Sequence, residues 1–241
     1  MPSDKASPPP PGAAVRRRYR ARACVGDGVH AGSGCGLRFP VEEDSALGSQ
    51  CPRCGQPTRF VDDAYVTHEL SAEHTGARPH VARLGVLLDN VRSLRNTGAI
   101  FRSADALGVS LAVLAGITPT PAHPGFAKTA LGAEHSVPWR AAPDPLAAAA
   151  ACIDEGWALW ALEGGTTAVD LFAPATAECS RARSIMLVLG HEVSGVDPRL
   201  LAMCERVLYI PMVGSKRSLN VSVAFAVAGY AVQRGLCPAP G

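Results

Sequence analysis

From residue 83 onward, short apolar runs alternate with segments that have the composition and length of helices. Apolar runs bounded by glycine or polar residues are typical of strands that are buried on both faces of a parallel sheet. The predicted strands are residues 84–89, 110–115, 137–140, 157–162, 184–189 and 207–210, and the predicted helices are residues 96–107 and 144–154. This order predicts an α/β fold, in which a parallel sheet carries helices on both faces.

The last helical segment, which follows Asn220, is apolar on nearly all of its sides. Its apolar residues include Val221, Val223, Phe225, Val227, Tyr230 and Val232. A helix without a polar side must be buried all round, either by its own domain or by a second subunit. The polar loop before it, at Gly214, is an arrangement that places backbone N–H groups beside a ligand. A core helix preceded by a plain turn explains the segment equally well.

The first 82 residues lack this alternation. Residues 1–22 carry a net charge of +5, compared with +2 for the whole chain. The predicted division is a disordered basic arm (1–22), a small module (23–60), a linker (61–82), the α/β domain (83–236) and a tail (237–241). The candidate contacts of the arm to an anionic polymer are Arg16, Arg17, Arg18 and Arg20. A solvated tail without a partner explains the same composition.

Four of the eight cysteines lie close together, in the pattern C-x10-C-x15-C-x2-C formed by Cys24, Cys35, Cys51 and Cys54. Because the small module is too short for an apolar core of its own, a bound metal is expected to stabilise it. Tetrahedral thiolate zinc is the predicted metal, and a rubredoxin-like iron site is the alternative. The long first spacing leaves His30 as an alternative to Cys24. The other cysteines are scattered among apolar residues, which excludes a secreted disulfide framework.

No apolar run reaches the roughly 18 residues that a membrane-spanning helix needs. The proline-rich N-terminus has no apolar core of the kind found in signal peptides. The sequence therefore predicts a cytoplasmic protein without membrane contact.

Three predicted strands end in polar segments that contain glycine. They are residues 88–104, 189–198 and 210–222, and they contain the patterns Asn96-x-Gly98-x3-Arg102, Gly190-x-Glu192-x2-Gly195, and Ile210-Pro-Met212-x-Gly214-x3-Ser218-Leu219-Asn220-Val-Ser222. Ligands of parallel sheets bind at the carboxyl ends of the strands. Taken singly, each segment also fits a plain turn or a helix cap. No dinucleotide fingerprint or phosphate loop is present, so binding of dinucleotides and nucleoside triphosphates is disfavoured.

In this order and at this spacing, the three segments resemble the motifs of the SpoU-type (TrmH-like) RNA 2′-O-ribose methyltransferases of the SPOUT superfamily. The resemblance covers residues 83–236. It implies an α/β knot with a C-terminal trefoil knot, which is an exception to the rule that chains do not thread. It also implies a homodimer and S-adenosylmethionine as the cofactor, with the apolar last helix buried between the knot and the partner.

The resemblance further implies roles for single residues. The cofactor-binding residues would be Leu189, Gly190, Glu192, Ile210, Met212, Ser218 and Leu219. The catalytic residues would be Arg102, Asn96, Glu192, Ser218 and Asn220. Because a guanidinium stays protonated, Arg102 is expected to hold phosphate and orient the ribose rather than to accept a proton. Glu192 would be either a proton acceptor or a structural partner of Arg102.

Many family members carry an RNA-binding domain ahead of the knot, and here a zinc-ribbon-like module takes that place. It would contact RNA, contact protein or serve only as structure. Lys128, in a proline-rich insert, is a further candidate RNA contact, although a plain surface loop explains the insert as well. The expected substrate is tRNA or rRNA. The alternative functions are a knotted methyltransferase that acts on bases and a non-catalytic RNA-binding protein.

Overall fold

The computed structural model describes residues 18–25, 34–45, 47–66, 83–174, 176 and 183–236. They belong to two compact units, Met1–Arg78 and Pro79–Gly241, which are described separately. Several residues named above lie outside the described ranges: Arg16, Arg17, His30 and residues 237–241.

The N-terminal unit is a small antiparallel sheet. Strand β1 (Arg18–Cys24) lies between β2 (Arg38–Glu42) and β3 (Thr58–Phe60), and the short β4 (Tyr65–Val66) pairs with the start of β1. The prediction of a disordered arm is therefore wrong for residues 18–22, and the predicted linker contributes β4. Arginine occupies every second position of β1, so the arginine side chains share one face of the sheet. Their charge resembles that of a solvated arm, and the strand was therefore missed.

The C-terminal unit contains a seven-stranded sheet in which all neighbouring strands are parallel. Its strands are β5 (Leu84–Asp89), β6 (Leu111–Ala115), β7 (Trp139–Ala142), β8 (Ala158–Leu162), β9 (Val169–Asp170), β10 (Ile185–Leu189) and β11 (Arg206–Tyr209). They are arranged in the order β7-β6-β5-β10-β8-β11-β9. The parallel sheet is confirmed. Strand β7 begins two residues later than predicted, after Pro138, which has no N–H group to contribute to a ladder.

Helices cover both faces of the sheet, as predicted. They are α1 (Leu94–Ala106), α2 (Phe126–Ala130), α3 (Pro145–Asp154), α4 (Pro198–Leu201) and α5 (Val221–Leu236), with a 3-10 turn at Ala133–His135. One apolar cluster joins α1, α2 and α5 to one face, and a second joins α3 and α4 to the other. The sequence did not predict α2, α4 or β9, because elements of two to five residues are too short to show a period.

Helix α1 begins at Leu94, two residues before the predicted start. Ser93 is its N-cap, and the Ser93 hydroxyl accepts a hydrogen bond from the N–H of Asn96 at 3.3 Å. The alternative in which Asn96 is the cap is therefore wrong. Serine is among the residues that cap helices best, and its use here leaves the side chain of Asn96 available for other contacts.

The last helix, α5, is buried on one side only within this chain. Phe225, Ala228 and Val232 are buried against the sheet and α1, whereas Val223 is 48% exposed and Tyr230 is 52% exposed. Its own domain therefore covers only one side of α5, and burial of the other side by a second subunit stays a prediction. An apolar side without a cover within the described residues is left on this helix.

Among the described residues, no helix combines the length and the apolar composition that crossing a bilayer requires.

Candidate functional site

The loops that follow β5, β10 and β11 are joined by hydrogen bonds from one side chain. Asn96 donates through Nδ2 to Oε1 of Glu192 at 2.9 Å. Its Oδ1 accepts a hydrogen bond from Nδ2 of Asn220 at 3.0 Å. One amide on α1 therefore links all three polar segments that the sequence singled out, across separations of 96 and 124 residues.

The carboxylate of Glu192 is held at the start of α1. Its Oε2 accepts a hydrogen bond from the N–H of Arg92 at 3.2 Å, and its Oε1 accepts one from the N–H of Ser93 at 3.1 Å. Burial raises the pKa of Glu192, but its own N–H, the Asn96 amide and these two N–H groups outweigh burial, so the net shift of the pKa is downward. Glu192 therefore stays ionised at neutral pH.

Arg102 lies on the exposed side of α1. Within the described part of the chain its guanidinium makes no hydrogen bond or ion pair, so the predicted pairing of Glu192 with Arg102 is wrong in this structure. The hydrogen-bonding capacity of Glu192 is used by Asn96 and the helix start instead. The guanidinium of Arg102, with its five N–H groups, is left free for a ligand.

Asn220 also organises the start of α5. Its Oδ1 accepts hydrogen bonds from the N–H of Ser222 at 2.9 Å and from the Ser222 hydroxyl at 2.6 Å. Its backbone carbonyl accepts the N–H of Ala224 at 2.8 Å. Asn220 thus caps α5 and reaches Asn96 with the same side chain.

A cavity of about 790 Å³ lies among the loops that follow β8, β10 and β11. Its wall includes every residue that was predicted to bind the cofactor, together with Asn220: Leu189, Gly190, Glu192, Ile210, Met212, Ser218 and Leu219. Asn96 and Arg102 are not part of the wall. The structure therefore brings the predicted cofactor residues together at one cavity and places Asn96 beside it through hydrogen bonds.

The spacing of the second segment follows from close backbone packing. A Cβ at Gly190 would overlap the backbone of Gly195 and Val196, and Gly195 has a φ of +73°, which favours glycine. His191 and Gly195 exchange two backbone hydrogen bonds, at 3.1 and 2.9 Å. The two glycines close the loop that presents Glu192.

Sequence reasoning missed Glu163, which lies in the cavity wall at the end of β8. Its Oε2 accepts the N–H of Val196 at 3.1 Å, and its Oε1 accepts the N–H of Gly164 at 3.1 Å. Glu163 therefore braces the loop of the second segment from the neighbouring strand. The signal that could have found it is the run Glu163-Gly164-Gly165 at a strand end, because polar glycine-bearing strand ends mark the other three segments.

The four N-terminal cysteines converge on one point. The sulfurs of Cys24 and Cys54 are 3.5 Å apart, those of Cys35 and Cys51 are 3.6 Å apart, and all four lie within 4.8 Å of one another. Zinc–sulfur bonds of about 2.3 Å in a tetrahedron place sulfurs about 3.8 Å apart. The predicted cluster of four cysteines is confirmed, and its donor set fits a tetrahedral metal such as zinc.

The backbone, burial and the neighbouring thiols shift the pKa values of two cysteines of this cluster in opposite directions. Gly36 and Gly55, each directly after a cysteine, have φ values of +69° and +73°. A hydrogen bond from the backbone of Gln56, together with neighbouring thiols, lowers the pKa of Cys54 to about 6. A hydrogen bond from the backbone of Leu37 also lowers the pKa of Cys35. Burial and the other thiols outweigh this effect and raise the pKa of Cys35 to about 11. Four thiolates therefore need a cation to coexist at neutral pH.

The predicted RNA contacts within the described ranges differ in their surroundings. Arg18 pairs with Glu43 at 2.9 Å, and Arg20 donates to the carbonyl of Asp62 at 3.2 Å while its Cζ lies 4.3 Å from the centre of the Phe60 ring. Lys128, on α2, is exposed and has no partner among the described residues. The arginines of β1 are engaged in their own sheet, and Lys128 is not.

Comparison with known proteins identifies relatives of the C-terminal unit. A tRNA (guanosine(18)-2′-O)-methyltransferase of Thermus thermophilus is 35% identical over 151 residues, which is 63% of this chain and 74% of that protein. A 23S rRNA (guanosine(2553)-2′-O)-methyltransferase of Bacillus subtilis is 33% identical over 62% of this chain and 57% of that protein.

A solved structure gives the same result. The SpoU methyltransferase AviRb from Streptomyces viridochromogenes, in complex with AdoMet, is similar with a TM-score of 0.55 at 25% identity, over 74% of this chain and 68% of that one. The model of the SpoU rRNA Methylase family matches residues 83–230, which is more than half of the chain. The three linked segments, the parallel sheet and this match agree, and the chain belongs to the SpoU rRNA methylase family.

Proposed function

We propose that this protein transfers a methyl group from S-adenosylmethionine to a ribose 2′-hydroxyl of tRNA or rRNA. The observation that carries the proposal is the hydrogen-bonded union of Asn96, Glu192 and Asn220 beside one cavity. The two relatives named above are 2′-O-methyltransferases of tRNA and of 23S rRNA, which supports the reaction and leaves both RNA classes as substrates.

The cavity suits a nucleoside cofactor with an amino-acid tail. Its volume of about 790 Å³ is in the range of small-molecule sites. Apolar side chains at Leu189, Ile210 and Leu219 offer a surface for a purine, and the glycine-bearing loops expose backbone groups to polar atoms. Bound there, S-adenosylmethionine supplies a methyl group on a positively charged sulfur, which a nucleophile can attack in line.

The protein then has to hold the 2′-hydroxyl at attack distance. In the transfer a bond would form between the 2′ oxygen and the methyl carbon as the bond from that carbon to sulfur breaks, which would leave a neutral thioether and release the hydroxyl proton to water. Arg102 binds a phosphate of the substrate through its free N–H groups and orients the ribose, since a guanidinium remains protonated. Ser218, exposed in the cavity wall, offers a hydroxyl on the same side.

In this proposal Glu192 is a positioning residue. Its oxygens hold the N–H groups of Arg92 and Ser93 and the amide of Asn96, so the start of α1 and the second segment keep a fixed distance. Asn220 extends the same network to the third segment. The network therefore sets where Arg102 stands relative to the cofactor.

A homodimer with a trefoil knot is part of the proposal. The uncovered apolar side of α5, with Val223 and Tyr230, together with exposed Met212 and Val213 in the preceding loop, supports burial by a second copy. Zinc at the four cysteines is proposed as a structural metal. A cytoplasmic location, where tRNA and rRNA are modified, completes the proposal.

The test is methyl transfer from labelled S-adenosylmethionine into separate pools of unmodified tRNA and rRNA, followed by nucleoside mass spectrometry. A 2′-O-methyl nucleoside from one pool is the expected result and names the substrate class. A base-methylated nucleoside would replace the proposed reaction with base methylation. Failure to bind S-adenosylmethionine would leave a non-catalytic RNA-binding protein.

A further inference from the structure

Two groups of positive side chains differ in their surroundings in the described part of the C-terminal unit. In the first group, each arginine has a partner: Arg140 with Glu155 at 2.6 Å, Arg183 with Glu205 at 2.7 Å, and Arg199 with Asp197 at 2.8 Å. The second group is exposed and has no acidic partner within the described residues: Arg92, Arg95, Arg102, Lys128, Lys216 and Arg217. All six belong to the first and third polar segments or to α2, which packs on α1.

Two contacts place the members of the second group on one side of the site. Asn220, three residues after Arg217, donates to Asn96, which directly follows Arg95. The hydroxyl of Thr129, next to Lys128, donates to the carbonyl of Leu94 at 3.4 Å. The loop before α5 and the helix α2 therefore both meet the first turn of α1.

Helix α1 presents its cations away from the core. Arg95 and Arg102 are seven residues apart, so they lie on the same face about 10.5 Å apart along the axis. The buried residues of the helix, Ile100, Phe101 and Ala104 among them, mark the opposite face. Both arginines are exposed, whereas Gly98 between them is buried against Thr129 of α2.

The charge arrangement is unfavourable without an anion. The first turn of α1 contains no acidic residue and carries Arg95, although the start of a helix disfavours cations. Glu192 is the nearby acid, and its oxygens are used by backbone N–H groups and by Asn96 rather than by a guanidinium. The start of α1 is already satisfied by Ser93 and Glu192, so phosphate groups would pair with the free cations.

We propose that Arg92, Arg95, Lys128, Lys216 and Arg217, continuing from Arg102, form a phosphate track that holds the RNA backbone on both sides of the target ribose. The inference rests on the proposed function, because it assigns the contacts of the same RNA substrate. Phosphate contacts of this kind position the polymer and carry no sequence information. The track therefore determines RNA affinity and its salt dependence. Arg92, Arg95 and Lys128 lie outside the cavity wall, whereas Lys216 and Arg217 are part of it.

The experiment compares full-length variants that each lose one positive charge, Arg95→Gln and Lys128→Gln, and the double variant Lys216→Gln/Arg217→Gln. The matched control is Arg183→Gln, an exposed arginine of the same unit that is paired with Glu205. An unmodified tRNA transcript is the probe, and its affinity is measured across salt concentrations. Each lost phosphate contact lowers the slope of log affinity against log salt by roughly 0.7 to 0.9. The conservative variant Arg95→Lys should keep the slope.

Three further readouts separate the outcomes. In Arg95→Gln and Lys128→Gln we expect the KM for RNA to rise while kcat at saturating RNA and the Kd for S-adenosylmethionine stay within about twofold of the wild type. Lys216 and Arg217 line the cavity, so the double variant is judged by its salt slope alone. If the salt slopes are unchanged and the enzyme methylates RNA, the phosphate track is wrong and the proposed reaction stands. Lower slopes in a protein that transfers no methyl group would support the track and overturn the proposed reaction. A slope that falls equally in Arg183→Gln, or a wild type that binds no RNA, would also overturn the track.

Discussion

Arginine side chains have different roles in the two units of this protein. In the N-terminal unit the arginines of β1 are internal braces: Arg22, for example, donates to the hydroxyl and carbonyl of Thr58 at 2.8 and 3.2 Å, and its Cζ lies 4.2 Å from the Phe60 ring centre. In the C-terminal unit the arginines around the site have no such partners. Within its described residues the smaller unit has no apolar core cluster and is held together by polar contacts and sulfurs, whereas the larger one has a core and leaves cations free for a ligand.

Metal removal is the sharpest way to separate the units. Structural zinc sites contribute apparent free energies of roughly 10 kcal/mol or more to folding, so Cys51→Ser or strong chelation should unfold the N-terminal sheet. The C-terminal unit, stabilised by its own two apolar layers, should stay folded. Elemental analysis together with NMR spectra of both variants checks this. Zinc-free protein with an intact N-terminal sheet would show that polar contacts suffice there.

A core substitution should have the reverse effect. Phe101 is fully buried on α1 and meets Phe126 edge to face, with ring centres 5.0 Å apart. Phe101→Ala should destabilise the C-terminal unit by about 3–5 kcal/mol, because it removes apolar contacts and leaves a cavity. Zinc content and the N-terminal signals should not change. The measurement is denaturant unfolding of each variant, with residue-resolved signals to tell the two units apart.

Arginine substitutions test the contrast between braces and free cations. Arg22→Gln should cost the N-terminal unit about 1–3 kcal/mol, since Thr58 loses its partner. Arg102→Gln should leave stability within about 0.5 kcal/mol, because exposed side chains without contacts contribute little. Its methyl transfer should nevertheless fall by about a hundredfold or more, as expected when a charge-stabilising donor is lost. Normal kcat and KM in Arg102→Gln would show that Arg102 has no role at the site.

The long elements of the C-terminal unit could be predicted because their apolar runs are the direct consequence of burial on both faces. Strand β1 could not, since its arginines resemble the composition of a tail, and their pairing with Glu43 and Phe60 is visible only in three dimensions. The three polar segments were found from glycine and polar residues at strand ends. Their union through Asn96 depends on chain separations of about a hundred residues, which no local pattern contains.

The exposed side of α5 shows another limit of sequence reasoning. Its apolar pattern predicted that the helix needs a cover, but composition does not distinguish burial within one chain from burial between two chains. Phe225 is buried in the chain itself and Val223 is not. The difference follows from how α5 packs on α1 and the sheet, which is a tertiary feature.

The smallest expected effect concerns the carboxylate that joins the segments. Because hydrogen bonding lowers the pKa of Glu192 from an ordinary value of 4.5, its contribution to the stability of the C-terminal unit is complete above that value and is lost as the pH falls through the folded pKa. The stability difference between the wild type and Glu192→Gln should therefore shrink between pH 6 and about pH 3. Asp154→Asn, which removes an exposed carboxylate without a hydrogen-bond partner in the described ranges, is the control and should show no comparable change over that interval. If the stability difference stays constant with pH, Glu192 holds the segments by its shape and not by its charge. The contrast between a charged brace at Glu192 and the free cations around it would then no longer hold.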